Sequence, residues 1–195
     1  VDNIPYIDKS AFDFNYSDIE RIDVLRGPQG TLYGRNAMGG LIKVHTKSPF
    51  SYQGTDFRIG AGTHNQYNTS VTHYHRMNER FAFSAGGFYE YEGGFFRNAA
   101  LNNKKVDKGQ SAGGRIRAIY LPNDNWKLDF NVSYEYGDQG GYPYGLYNKE
   151  TGDVAKTAYN DESSYYRNLL NAGLNVEYQA QNFTLSAVTG YQHLK

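Results

Sequence analysis

The sequence predicts an all-β fold, part of a transmembrane antiparallel β-barrel of about seven strands, and three observations carry that expectation. Apolar and polar residues alternate with a period of two over long stretches; the connections alternate between tight turns and long polar loops; and aromatic residues collect where strands end. With 19 Tyr, 11 Phe and 22 Gly against 5 Pro in 195 residues, the chain is heavily aromatic yet polar on average, as alternation along strands requires. Average hydropathy overlooks such a wall, because only every second residue faces lipid.

The alternation is clearest where Leu128, Phe130, Val132, Tyr134 and Tyr136 share one face, opposite Lys127, Asp129, Asn131, Ser133 and Glu135. A second copy sets Leu170, Ala172, Leu174, Val176 and Tyr178 against Asn171, Gly173, Asn175 and Glu177. A third runs from Phe81 to Tyr91 and a fourth from Phe183 to Tyr191, with weaker copies at Thr55 to Gly62, Gln66 to Arg76 and Ala112 to Leu121. About ten residues at roughly 3.3 Å each, tilted near 45°, rise about 24 Å, close to the apolar band of an outer-membrane barrel.

The connections supply the polarity of the wall. Arg76 to Arg80, Leu121 to Trp126 and Tyr178 to Phe183 are tight polar turns, whereas Glu92 to Gln110 and Gly137 to Tyr166 are long. The short hairpin near Thr63 to Asn65 falls on the long-loop side. Short turns on one side and long loops on the other match periplasmic and extracellular ends. Rings at both strand ends, such as Trp126 with Tyr134 and Tyr136, form girdles at the interfaces. Periodicity alone does not decide which face points outward, and a soluble sandwich with its apolar face inward is the competing architecture.

Charge and composition exclude several functions. Lys plus Arg equals Asp plus Glu, so no global field advertises nucleic acid as a partner, and the absence of cysteine removes thiol catalysis and disulfides. No run of about eighteen apolar residues predicts a transmembrane helix. The chain opens without a signal peptide and reads as the middle of a longer protein. No nucleophile and base fall into a catalytic arrangement, so neither an enzyme nor a cofactor is expected. His73 and His75 lie two apart on one strand face, a spacing that can hold a metal, but no third ligand is near and they read as interfacial or lumen side chains.

Residues 1–48 behave differently. The stretch from Tyr16 to Gly27 reads as a short helical turn, with Ser17 or Asp18 as N-cap, feeding a strand through Ile22 and Val24. Pro28 can open a second helical turn that stops at Gly34, and Gly39 and Gly40 let the chain bend into the strand of "LIKVHTK". A phosphate-binding loop does not fit: Gly30 and Gly34 are three residues apart and are followed by Arg35 and Asn36, not by lysine and a hydroxyl.

The run "IERIDVLRGPQGTLYGRNAMGGLIKVHTKSP" resembles the end of the plug domain of TonB-dependent outer-membrane receptors, with its L-R-G-P, L-Y-G, G-G-x-I and T-K-x-P elements. That resemblance implies the C-terminal part of an α+β plug over residues 1–48, followed over 49–195 by about seven strands of a 22-stranded barrel. Gly27, Gly30, Gly34, Gly39 and Gly40 are then plug turn glycines, and Arg26 and Arg35 are plug arginines that pair with carboxylates of the wall. It implies TonB-driven uptake of a scarce nutrient across the bacterial outer membrane, above all a ferric siderophore or similar metal chelate. Vitamin B12, a carbohydrate or a non-transporting binding barrel are the alternatives. TonB would act through an N-terminal box that this chain does not contain. Phe95, Phe96, Arg97, Tyr142, Tyr144 and Tyr147 are candidates for stacking on a bulky ligand at the outer mouth. Lys104, Lys105 and Lys108 make a small basic patch suited to an anionic chelate or to lipopolysaccharide, and the outer face contacts lipid.

Overall fold

The computed structural model describes residues 1–6, 18–28, 30, 39–102, 104–159 and 163–195. Two strands come first, β1 (Ile19–Arg26) and β2 (Gly40–Thr46), paired antiparallel from Ile19↔Thr46 to Arg26↔Gly40. The helical turn expected before Ile22 is not formed at Ile19 to Arg21, which already belong to β1. Pairing with β2 overrides the local capping signal, and Asp18 turns its carboxylate toward Arg115 instead, its carbonyl accepting from the Lys47 N–H at 3.0 Å. Ser17, and most of the turn expected after Pro28, lie outside the described residues.

The second sheet has seven strands in consecutive antiparallel order, β3 (Gly54–Gly62), β4 (Gln66–Arg76), β5 (Phe81–Glu92), β8 (Gly109–Asn123), β9 (Trp126–Gly140), β10 (Ser164–Gln179) and β11 (Thr184–Leu194). Between β5 and β8 a loop carries the small hairpin of β6 (Arg97–Asn98) and β7 (Lys104–Lys105). The register is continuous, from Gly54↔Tyr74 at one side to Leu169↔Leu194 at the other, with one irregularity between Tyr120 and Asn123.

Burial settles the direction of the faces. Phe57, Ile59, Ile116 and Phe130 are 64%, 72%, 53% and 44% exposed, while Ser70, Ser84, Arg117, Asp129, Asn131 and Glu135 on the opposite face are buried. A soluble sandwich would bury the first set and wet the second, so the apolar face is the outer one. What covers the polar face is the N-terminal part of the chain.

Three strands are longer than the alternation indicated. β8, β9 and β10 run for 15, 15 and 16 residues, and most of their extra length is on the long-loop side. At about 3.3 Å per residue and a 45° tilt, 15 residues rise about 35 Å, so these walls stand about 10 Å above a 25 Å apolar band.

Candidate functional site

The site grows out of the inward face of β8. Alternation places Arg115 and Arg117 on that face, either side of the outward Ile116, and the register sets them opposite Ser133 and Asn131 of β9. Two guanidiniums in a half-dry interior need carboxylates within reach. Asp129 supplies one: Arg117 Nε and Nη2 donate to its two oxygens at 3.0 and 2.7 Å, a parallel two-bond fork. The other two carboxylates come from the N-terminal part. Arg115 Nη2 lies 2.6 Å from Asp2 Oδ2 and Arg115 Nη1 lies 3.6 Å from Asp18 Oδ2, while Arg117 Nη1 lies 3.4 Å from Asp2 Oδ1. The order Asp18, Arg115, Asp2, Arg117, Asp129 thus alternates in sign from the plug-like segment to the wall.

Thr46, the last residue of β2, completes the contact. Its N–H and hydroxyl donate to Asp2 at 2.9 and 2.7 Å, and its carbonyl and hydroxyl oxygens accept from Arg117 Nη1 at 3.2 and 2.9 Å. Burial alone would raise the Asp2 pKa, but Arg117 and then Arg115, with both Thr46 donors, hold its carboxyl below the usual carboxylate value. Asp18 behaves oppositely: burial pushes it up, and the pull of Arg115 does not offset that push and the neighbouring Asp2 charge.

Residues 1–5 are held by two further contacts, one to β2 and one to the wall. Asp2 N–H donates to the Val44 carbonyl at 2.9 Å, and Asn175 Nδ2 donates to the Asp2 carbonyl at 2.8 Å. Gly173 and Gly190 face each other across β10 and β11, and a Cβ on Gly173 would sit 2.3 Å from Ile4 Cδ1. The paired glycines therefore open a slot that the Ile4 side chain, 4% exposed, fills. Where β2 passes into β3, Lys47 Nζ binds Asp56 Oδ2 at 2.6 Å and lies 4.1 Å over the Tyr52 ring, while Tyr52 donates to the same carboxylate.

Arg26 stands exposed at the end of β1, with no carboxylate partner among the described residues, and Arg35 lies outside them. The pairs of Asp2 and Asp18 with Arg115 and Arg117 have the reverse polarity, with carboxylates on the segment and arginines on the wall, whereas the Lys47–Asp56 pair keeps its cation on the segment. The pattern "GRIRA" held the signal: two like charges sharing one face of a strand demand counter-charges. Gly27 has φ +86°, and Gly40 has φ +148° with a Cβ position 2.7 Å from the Leu25 carbonyl, so both positions disfavour a side chain. At Gly30 and Gly39 an added Cβ meets nothing within 4 Å, and Gly34 lies outside the described residues.

At the long-loop end, Phe95, Phe96, Tyr142, Tyr144 and Tyr147 are all exposed, Tyr142 by 77%. Arg97 opens β6 opposite Lys105 of β7, and the Asp107 carboxylate accepts the N–H groups of Phe95 and Phe96 at 2.8 and 2.9 Å. The two long loops are tied together: Asn98 Nδ2 donates to the Tyr159 carbonyl and the Ala99 N–H to the Thr157 carbonyl, each at 2.9 Å. Tyr159 in turn donates to the Tyr142 carbonyl at 3.4 Å. Lys104, Lys105 and Lys108 line one cavity of about 260 Å³ with Tyr91 and Tyr166. His73 and His75 lie on the outer face, His73 Nδ1 2.8 Å from Thr55 Oγ1, and no cluster of three metal-ligating side chains occurs among the described residues.

Residues 1–41 match the family model of the TonB-dependent receptor plug domain. The chain is 32% identical over 139 residues to the vitamin B12 transporter BtuB of Vibrio vulnificus strain CMCP6, an alignment covering 65% of this chain and 22% of that protein. It is 28% identical over 189 residues to the ferrioxamine B receptor of Salmonella typhimurium strain SL1344, covering 91% and 26%. Its structure is similar to that of the ferric yersiniabactin uptake receptor FyuA of Yersinia pestis, with a TM-score of 0.75 at 20% identity over 92% of this chain and 29% of that one. The chain thus spans roughly a quarter of the length of these relatives. The plug match at one end, the outward apolar wall that follows it and the relatives found along most of the sequence make this chain similar to the TonB-dependent receptors of the bacterial outer membrane.

Proposed function

We propose that the protein of which this chain forms a part imports a scarce nutrient across the outer membrane under TonB control, a ferric siderophore or similar metal chelate foremost. The observation that carries this reading is the closed polar interface between the first segment and the inner wall. A wall that presents apolar residues to lipid and holds a separate segment on its polar face by ion pairs is built to be opened and reclosed. Hydrogen bonds and ion pairs suit that task better than an apolar core, because water replaces their partners when the segment moves. Residues 1–48 act as plug and 49–195 as wall in this reading.

The tied outer loops fit capture of a bulky ligand, with exposed rings from Phe95, Phe96, Tyr142, Tyr144 and Tyr147 offering flat apolar surface and Arg97 a charge. Lys104, Lys105 and Lys108 offer ammonium groups to lipopolysaccharide phosphates or an anionic chelate at the outer rim. Arg26, exposed at the end of β1, is placed to meet carboxylates from wall beyond these seven strands, and Arg35 has the same proposed role. A TonB-binding box upstream of residue 1 would couple the plug to the inner membrane.

Growth of a strain lacking the gene tests the proposal. Under iron limitation, with one ferric siderophore supplied at a time, growth should return with the intact gene and fail in the same strain without TonB. Restoration by vitamin B12 alone would turn the reading toward a corrinoid, in line with the relative in Vibrio vulnificus. Arg26→Ala should leave ligand binding intact while raising ion leakage through the purified receptor in planar bilayers. Unchanged leakage would remove Arg26 from the lock.

A further inference from the structure

The Asp2 carboxylate sits in an oxyanion site, each of whose donor residues has a second partner. Four groups converge on it: Arg115 Nη2 at 2.6 Å, Arg117 Nη1 at 3.4 Å, the Thr46 N–H at 2.9 Å and the Thr46 hydroxyl at 2.7 Å. Arg117 is held from behind by its fork to Asp129 and by the Thr46 oxygens, and Arg115 is shared with Asp18. Thr46 belongs to β2, which is paired along its length with β1. The ligand of this site belongs to a segment that forms no strand: apart from the Asp2 carboxylate, residues 1–5 are held to the rest of the chain by the Asp2 N–H on Val44, the Asp2 carbonyl on Asn175 and the Ile4 side chain.

We infer that Arg115, Arg117 and Thr46 form a carboxylate-binding site on the lumen wall, which Asp2 fills while the passage is closed and which an anionic group of the cargo takes when residues 1–5 are drawn away. The inference rests on the transport reading for its second half and names the cargo class: a molecule carrying a free carboxylate or an equally flat, charge-delocalised oxyanion. Two guanidiniums with a backbone N–H and a hydroxyl match such a group, and a preformed donor set spares the ordering cost of binding. Removal of Asp2 alone leaves Arg115 with Asp18 and Arg117 with Asp129, and opens between the two guanidiniums a position lined by donors that suits an anion. The site lies partway along β8, between the outer loops and the short turns, so it falls on the route of a molecule moving along the wall.

The test uses the full-length receptor in detergent, with trifluoroacetate as the probe and fluorine NMR line broadening as the measurement. Asp2→Ala should bind trifluoroacetate at least ~10-fold more tightly than the wild type, and Asp2→Ala with Arg115→Lys should lose most of that gain, because a single ammonium cannot span Asp18 and the bound anion as the two Nη atoms of Arg115 do. Where Asp2→Ala fails to assemble, the near-isosteric Asp2→Asn serves in its place. Equal affinity in the wild type and the Asp2 variants would overturn the inference. Iron uptake by cells carrying the wild-type receptor, measured in parallel, separates the two readings. Uptake with no gain of anion binding sinks the wall site alone, whereas anion binding without uptake of any nutrient supplied keeps the site and overturns transport together with the transit role.

Discussion

The two faces of the seven-stranded sheet are made by alternate residues of the same strands, yet they obey opposite rules. Outward, Phe57, Ile59, Val71, Ile116 and Phe130 are left exposed, and they need no partner because lipid is their solvent. Inward, Ser84, Arg117, Asp129, Asn131 and Arg167 are buried, and most of them are joined by hydrogen bonds or ion pairs. In a water-soluble protein the apolar face makes the core. Here the core is the polar one, and its specificity lies in charge pairing rather than in the fit of hydrocarbon.

That contrast can be broken at Arg117 with the largest effect. Arg117→Leu strands Asp129 and deprives Asp2 of one of its two cations, and breaking a buried pair in this way costs about 3–5 kcal/mol. It should appear as a lower urea midpoint and faster amide exchange in β2. A smaller loss, confined to the outer face, is expected for Val132→Arg, at about 2–4 kcal/mol near the bilayer centre, read as reduced folding into lipid vesicles. Equal tolerance of arginine on both faces would erase the distinction drawn here. Gly173→Val fills the slot of Ile4 and should cost about 1–3 kcal/mol by overpacking, seen as protease cleavage near residues 1–5 with the wall intact.

The pH response sharpens the comparison, because Asp2 and Asp18 pull in opposite directions. The stabilisation from Asp2, whose pKa is lowered in the folded state, is present above the ordinary carboxylate pKa and fades as pH falls through the lowered value. Asp18 has a raised folded pKa, so its favourable contribution is complete below the ordinary value and is lost as pH rises through the raised one. Docking of β1 and β2 should therefore tighten on mild acidification and then weaken in strong acid. Exchange protection, corrected for intrinsic rates, checks this; Asp18→Asn should abolish the first phase and keep the second. The smallest effect is expected at Asn131, whose buried Nδ2 has no partner among the described residues: Asn131→Ala should cost about 1 kcal/mol or less in urea unfolding.

Much of the wall was legible in the sequence because lipid and lumen impose a period of two on neighbours such as Phe130 and Asn131. The alternation stops being informative where the strands leave the apolar band. Gly109 to Ser111 and Gly137 to Gly140 carry no hydrophobic signal, so periodicity ends β8 and β9 too early, although their ladders continue. The start of β1 is misread from sequence because a local capping pattern competes with a strand partner about 25 residues later. The oxyanion site was least visible. Asp2 lies 113 residues from Arg115, and nothing in its neighbours marks it, although the two arginines flanking Ile116 showed that a counter-charge must exist. Arg26 drew attention by its motif, whereas pairing in the described structure follows the wall's own charges.

The slot between Gly173 and Gly190 also bears on how the molecule comes together in time. Ile4 precedes its socket by about 170 residues, and the socket exists only after β10 and β11 have zipped into register. Ile4 leaves the ribosome before the strands of its socket do and can settle only after they have paired. Pairing of β10 with β11 therefore sets the time at which Ile4 can dock.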